Sequence, residues 1–189
     1  MSKSLVPLTA RRFALAAMCM TLPVFASALK TDTARSSITA TFRQMNVPVD
    51  AKFGRFAAQI SYDDAKPEAA KASVDIDIAS FDLGDPDYNK EVLKNEWFNA
   101  ARFPKASFVS TQIKPAAAGK LDVAGKLTIK GKTADVRFPL TLKKKGNADV
   151  FEGTLPIKRL TYNVGEGEWK DTGMVADDVV IKFHIVTRH

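Results

Sequence analysis

Residues able to do chemistry are few in this chain, and their spacing rarely suits it. The densest acidic group is Glu166, Glu168, Asp171, Asp177 and Asp178. Paired carboxylates for hydrolysis must face each other across a cleft at about 5–9 Å, which neighbours on one loop do not provide. The ligand spacing of an EF-hand is also absent, so a solvated loop is the plain reading. Gly165-Glu166-Gly167-Glu168-Trp169 has glycines enough for a phosphate cradle, but its two glutamates would repel the phosphate. It also lacks the third glycine of a dinucleotide fingerprint. His184 sits beside Lys182 on a polar strand face and His189 is terminal. Neither has a partner at metal-ligand spacing, and no serine–histidine arrangement signals a nucleophile. The single cysteine, Cys19, cannot form an internal disulfide or a structural zinc site. Lys143 to Lys145 have no interleaved aromatics and read as a solvated hairpin tip, not a nucleic-acid or anionic-lipid patch. The expectation is a protein with no catalytic residue, no metal, no cofactor and no nucleic-acid partner.

The elements that would position any site begin after a leader. The chain has 189 residues, 28 Lys and Arg against 21 Asp and Glu for a net +7, and a 46% apolar share. These values fit one globular domain. Residues 1–28 contain Lys3, Arg11 and Arg12 but no acid, then an apolar run from Phe13 to Met20 and on to Phe25, then Ala26-Ser27-Ala28. Basic flank, short apolar core and small residues at the junction are the parts of a secretory signal. The core is too short for a lasting membrane span. Lipidation at Cys19 would want a small residue before it, where Met18 stands. Cleavage after Ala28 and a periplasmic domain of residues 29–189 are expected. That domain has no cysteine and a smaller positive excess, so its stability must come from its core.

Period-two alternation dominates this domain. Val74, Ile76 and Ile78 alternate with polar neighbours, as do Val136, Phe138, Leu140 and Leu142. Phe151, Leu155 and Ile157 do so around Gly153, and Val179, Ile181, Phe183 and Ile185 form a last strand. Further strands are expected over 38–43, 49–62 with a bend at Gly54, 106–113 and 121–129. Lys130-Gly131-Lys132 reads as a tight turn whose glycine takes a positive φ. Lys143 to Asn147 closes the next hairpin, and Pro115-Ala-Ala-Ala118 reads as a loop. Asp85-Pro86 can start a helix, with Val92, Leu93, Trp97 and Phe98 at near-helical spacing over 88–98 and Pro104 beyond. The reading is all-β, a closed antiparallel barrel or a sandwich of about eight strands with a short helical insertion. Alternation alone leaves open whether a barrel is filled or hollow, and an interior cavity of several hundred Å3 would be the mark of a hollow one.

Longer motifs carry a resemblance. Gly125-Lys-Leu-Thr-Ile-Lys-Gly131-Lys-Thr133-Ala-Asp-Val136 resembles the Gly-x-Leu-Thr-Ile-x-Gly-x-Thr-x-x-Val segment of the YceI-like family of bacterial lipid-binding proteins. Gly54-Arg55-Phe56 with Ile60-Ser-Tyr62-Asp63 resembles that family's first hairpin. Phe98 to Ser110 is similar to its helix-to-strand junction, and Gly165 to Thr172, with Val175 and 177–183, to its ending. The likeness runs in order through nearly all of 35–187.

The resemblance implies an exported, lipocalin-like barrel with an apolar tunnel for a polyisoprenoid lipid, an isoprenoid quinone or an isoprenyl phosphate, held for transport or storage. It also implies, as context, a membrane di-haem b-type cytochrome as partner. A homodimer is a further expectation. One departure matters: where many members read Arg-Asp-x-His-Leu, this chain reads Asn89-Lys-Glu-Val92-Leu93, so no histidine role carries over. Strands of this length would shelter roughly 25 Å of chain, lined by aromatics that need no hydrogen-bond partner. Phe42, Phe53, Phe56, Trp97, Phe98, Phe108, Phe138 and Phe151 are the expected cavity or mouth residues. The competing readings are a filled barrel acting through its surface, in stress or partner binding, and a hydrolase using Glu166, Glu168 and Asp171.

Overall fold

Inward positions of the strands are apolar and outward ones polar, and this alternation organises the domain. The computed structural model describes residues 29–188, so the segment read as an export signal lies outside the described residues. The strands are β1 (Lys30–Thr31), β2 (Ser37–Gln44), β3 (Val47–Phe53), β4 (Phe56–Ser61), β5 (Lys71–Asp77) and β6 (Phe81–Asp82). After the helix α1 (Pro86–Val92) come β7 (Lys105–Ala117), β8 (Lys120–Ile129), β9 (Lys132–Lys145), β10 (Ala148–Lys158) and β11 (Val175–Arg188). They form one antiparallel sheet in the order β4-β5-β7-β8-β9-β10-β11-β2-β3-β6, with β1 on β11. In β8, Leu121, Val123, Leu127 and Ile129 are buried, while Lys120 and Lys126 face solvent.

The sheet curls, and its β4 edge is tied back to β11 through the N-terminal segment. Leu29 bridges Ile60 of β4, its N–H donating to the Ile60 carbonyl at 2.7 Å. Thr31 Oγ1 donates to the Ala58 carbonyl at 2.7 Å, while Lys30 pairs with Arg188. The two-residue β1 thus latches β4 to β11 and completes a lipocalin-like barrel. Only Gly54 and Arg55 separate β3 from β4, which is the bend expected within 49–62. Taken as one bent run they leave about eight long strands.

Three local expectations change. The helix stops at Val92, and the chain then folds back, Phe98 N–H reaching the Val92 carbonyl and Ala100 N–H the Leu93 carbonyl, both at 3.0 Å. Spacing alone did not separate a helix from turns that aim the same apolar residues at the barrel. Pro115 to Ala117 is strand, not loop, with a register shift between Pro115 and Ala117. A bulge tolerates a residue without an N–H. Ile78 leaves the strand pattern because Asp77 Oδ1 accepts the Ala79 N–H at 2.9 Å, turning 78–80 into a 3-10 turn.

Across the barrel floor the rings of Phe108, Phe138 and Phe183 follow one another, with centroids 5.5 and 5.4 Å apart. Two glycines make room for this row. A Cβ on Gly125 would lie 2.5 Å from Phe108 Cε2, and one on Gly153 would lie 3.0 Å from Phe183 Cε2 and closer to Cζ. Phe108 and Phe183 therefore each pack directly over a glycine of the neighbouring strand. Gly153→Ala is expected to lower stability by about 1–3 kcal/mol through overpacking, measured by urea unfolding, and Phe183→Leu in the same chain should recover part of that loss.

Candidate functional site

The inward face leaves two chambers. The lower one has about 110 Å3 of free space and is lined by β2, β4, β5 and β7 to β11, with Ile60, Ala72, Val74, Leu127, Phe183 and Ile185 among its wall. Its polar lining residues are Ser61, Tyr62 and Ser107. The upper one has about 130 Å3 beneath α1. Ala40, Phe81, Leu83 and Val179 line it, along with Gln44, Tyr88, Glu91, Trp97, Arg159 and Trp169. Tyr88 is 56% exposed, so the upper chamber opens to solvent beside α1. Each chamber alone is about the size that one benzene-like ring fills.

Three aromatics stand between them. Phe53, Trp97 and Phe98 pack against both the main core cluster and the cluster of Ala51, Phe81 and Val92. Phe81 meets Phe53 edge-on at 5.2 Å and Phe98 at 5.3 Å. Of the expected cavity residues, Phe108, Phe138 and Phe151 line the lower chamber. Phe42, Trp97 and Phe98 line the upper one. Phe53 and Phe56 instead line a polar side cleft at the bend, with Thr33, Ser36, Lys52 and Arg55.

The helix that roofs the upper chamber is set by its start. Asp85 Oδ1 accepts the N–H groups of Asp87 at 2.8 Å and Tyr88 at 3.3 Å, and Pro86 fills the first helical position, where its missing N–H does no harm. Asn89 ties the helix to the sheet, its Oδ1 accepting from Leu83 N and its Nδ2 donating to Asp82 Oδ1. Val92, which stands where the family stretch has histidine, is buried and lines the chamber.

Two buried cations hold the opposite wall, and neither was singled out by sequence. Arg159 is 4% exposed. Its Nε donates to the Ala176 carbonyl, Nη1 to those of Val164 and Gly165, and Nη2 to those of Trp169 and Val175, at 2.6 to 3.2 Å. Burial pulls its pKa down from the usual guanidinium value, opposed by the Asp177 charge, yet a guanidinium stays protonated. It also stacks over Trp97 at 5.7 Å. All five of its donors serve main-chain carbonyls. The available signal was parity: Arg159 continues the inward register of Phe151, Leu155 and Ile157.

Lys130 ties the same loop from the β8–β9 turn. Its Nζ donates to the carbonyls of Asn95 at 2.7 Å and Asn163 at 2.8 Å and to Glu166 Oε2 at 2.7 Å. Both Lys130 and Gly131 have positive φ, 48° and 72°, the geometry of a tight hairpin turn. A non-glycine there costs about 1 kcal/mol, which the ammonium bonds offset. Glu166, expected to be merely solvated, is therefore an anchor. Asp171 and Asp177 accept the N–H groups of Gly173 and Leu160. None of Glu166, Glu168 and Asp171 lines either chamber. His184, read as unpartnered, meets Glu152 Oε1 through Nδ1 at 2.9 Å. Among the described residues no cluster of three or more His, Cys, Asp or Glu could hold a metal ion.

An apolar bore enclosed by one curled antiparallel sheet, with a helix over its upper chamber, defines a lipocalin-like barrel. A family model described as YceI-like domain matches residues 29–187, and the chain belongs to that family. BcnA of Burkholderia cenocepacia is similar at 50% identity and a TM-score of 0.81, over 83% of this chain and 99% of that one. A UPF0312 protein of Pseudomonas fluorescens is 35% identical over 155 residues, 76% of this chain and 71% of that protein. A polyisoprenoid binding domain from Saccharophagus degradans, implicated in plant cell wall breakdown, shares the fold at 17% identity and a TM-score of 0.66, over 86% of this chain and 98% of that one.

Two outcomes are expected at the clamped end. Arg159→Ala should lower stability by about 2–4 kcal/mol, because it leaves several buried carbonyls without donors, and amide exchange over 164–176 should accelerate most. The hydrogen bond from Lys130 holds the Glu166 carboxyl below the usual carboxylate range. A depressed folded pKa gives stability that is complete above the ordinary glutamate pKa and is lost as pH falls through the folded value. Exchange around 163–166 should therefore rise on acidification below that ordinary range, and Glu166→Gln should abolish the acid-dependent part.

Proposed function

We propose that this chain is a non-catalytic binding protein of the bacterial periplasm that encloses a polyisoprenoid lipid, for transport or storage. The observation that carries this reading is the lower chamber, whose wall is apolar apart from Ser61, Tyr62 and Ser107. An isoprenoid tail exposed to water costs roughly 25 cal/mol per Å2 of apolar surface, and a bore of this composition removes that surface from water. The tail lies in the lower chamber and passes the aromatic partition of Phe53, Trp97 and Phe98. The head lies in the upper chamber, whose lining includes Gln44, Glu91 and Arg159, and is an isoprenoid quinone or an isoprenyl phosphate. Fold likeness to a polyisoprenoid binding domain supports the assignment.

Export rests on the signal-like residues 1–28, and a membrane di-haem b-type cytochrome is the proposed partner for exchanging a quinone. Of the three residues that a hydrolase would use, Glu166 is held by Lys130 and Asp171 accepts the Gly173 N–H, which supports a structural part for both. A second reading, a barrel acting through its outer surface, draws on the modest free volumes of about 110 and 130 Å3. A long tail fits only if partition side chains move aside.

Protein purified from cells without detergent should release an apolar isoprenoid into organic solvent, detected by mass spectrometry. Ala72→Leu, which adds bulk to the lower chamber wall, should reduce the copurifying lipid severalfold while the protein stays folded by circular dichroism. Repeated extracts without isoprenoid, together with no uptake of added quinone, would leave the surface-acting reading in place.

A further inference from the structure

Five large hydrophobic residues among those described are 45% exposed or more: Met45, Val47, Tyr88, Val109 and Met174. A single exposed hydrophobe is ordinary, but four of these five gather at the mouth of the upper chamber. Tyr88 lines the chamber, as do Gln44 and Val175. Met45 follows Gln44, and its N–H donates at 2.8 Å to the carbonyl of Met174, the residue before Val175. Val47 is the register partner of Gln44 across the β2–β3 pair. Val109 alone lies elsewhere, on β7 beside the lower-chamber residue Phe108. Fold stability does not account for the rim. Met45 and Asn46 form the two-residue β2–β3 turn with φ of 48° and 65°, a geometry that glycine and asparagine suit. A methionine in that conformation, exposed to water, serves neither the turn nor the core.

The charges beside the rim cancel. Arg43 donates to the Asn46 carbonyl at 2.8 Å, Lys90 meets Asp87 at 3.4 Å and Lys94 meets Glu91 at 2.5 Å. No field of one sign is left there to draw a charged partner. The basic run Lys143 to Lys145 is at the far end of β9 from the Lys130 turn, and so away from this mouth. The four side chains together expose on the order of 300–400 Å2, a patch size that is often functional. It falls well short of the roughly 800 Å2 per partner that a stable protein complex buries. Its chemistry suits a water–hydrocarbon boundary instead: methionine adapts to irregular apolar surroundings, and tyrosine favours the level of lipid head groups.

We propose that the mouth of the upper chamber docks on a lipid bilayer. Met45, Val47 and Met174 enter the boundary between head groups and acyl chains, and Tyr88 stands at head-group level, so the chamber opens onto lipid instead of water. This rests on the lipid-binding reading above and adds the surface with which the ligand is exchanged. A ligand moving between bilayer and chamber then keeps its apolar surface out of water throughout. Attachment through so few side chains is shallow and reversible.

Protein purified from cells is mixed with sucrose-loaded vesicles of phosphatidylcholine, alone or with added phosphatidylglycerol, at low and high salt, and sedimented. It should pellet with both kinds of vesicle and stay bound in high salt. Met45→Asn, Val47→Thr and Met174→Gln together remove the rim without altering a chamber-lining residue. This triple variant should bind vesicles about tenfold more weakly, whereas Val109→Thr should bind like the parent, with circular dichroism alike for all three. The docking is overturned if the parent binds no vesicle, or if the triple variant binds as well as the parent. Binding confined to anionic vesicles and lost in salt overturns it too, in favour of the Lys143 to Lys145 hairpin. A parent dimer that the triple variant cannot form, seen by sedimentation velocity, makes the rim a contact between copies and has the same force. In each of these cases an isoprenoid extracted from the purified protein keeps the lipid-binding reading standing. If vesicle binding follows the expected pattern but no isoprenoid is extracted and no added quinone is taken up, the docking stands and the lipid-binding reading falls.

Discussion

One guanidinium without an ion-paired carboxylate holds the upper end of this barrel together. Arg159 gathers the carbonyls of residues 164, 165, 169, 175 and 176 around a single planar fork. The long connection between β10 and β11 would otherwise be a polar loop draped over an apolar opening. With its carbonyls turned inward onto Arg159, it becomes a wall. Trp169 is thereby fixed opposite Trp97, and the upper chamber acquires a defined shape. Lys130 repeats the device from the β8–β9 turn, joining that loop to the chain at Asn95 and Glu96. Both cations replace water as partners of main-chain carbonyls.

The lower half obeys a different constraint, which is width. Phe108 and Phe183 lie against the sheet only because Gly125 and Gly153 lack a side chain beneath them. The bore is thus set by aromatic rings whose position depends on absent methyl groups on neighbouring strands. Charge organises one end and steric allowance the other, and Phe53, Trp97 and Phe98 mark the boundary.

How much of this was legible in the sequence follows from the range of each interaction. Strands β5, β8, β9 and β11 are written in local alternation, because a half-buried strand must repeat with period two, and the bend at Gly54 is a local glycine signal. The helix was overextended because Val92, Leu93, Trp97 and Phe98 satisfy both a helix and a folded-back turn. Six of the eight aromatic site residues line the chambers, since inward parity and aromatic character coincide. Phe53 and Phe56 do not, because the β3–β4 bend turns that stretch toward the side cleft. Arg159 and Lys130 escaped notice for a plain reason. Their partners are main-chain carbonyls, which every residue has, and no side-chain spacing advertises such a bond. Reading Arg159 by parity would have exposed it as a charge on an inward face, which burial permits only when its donors are satisfied.

The latch at β1 has a topological consequence. Because Lys30 and Arg188 are paired neighbours, the beginning and the end of the domain lie side by side on one seam. Neighbouring ends are the geometric condition for circular permutation. A short linker from Arg188 to Lys30 would turn the latch into one more hairpin, and the domain could be reopened at the exposed turn around Gly146, far along the sequence from both. The seam between β1 and β11 is in that sense a joint that the fold itself does not require to be open.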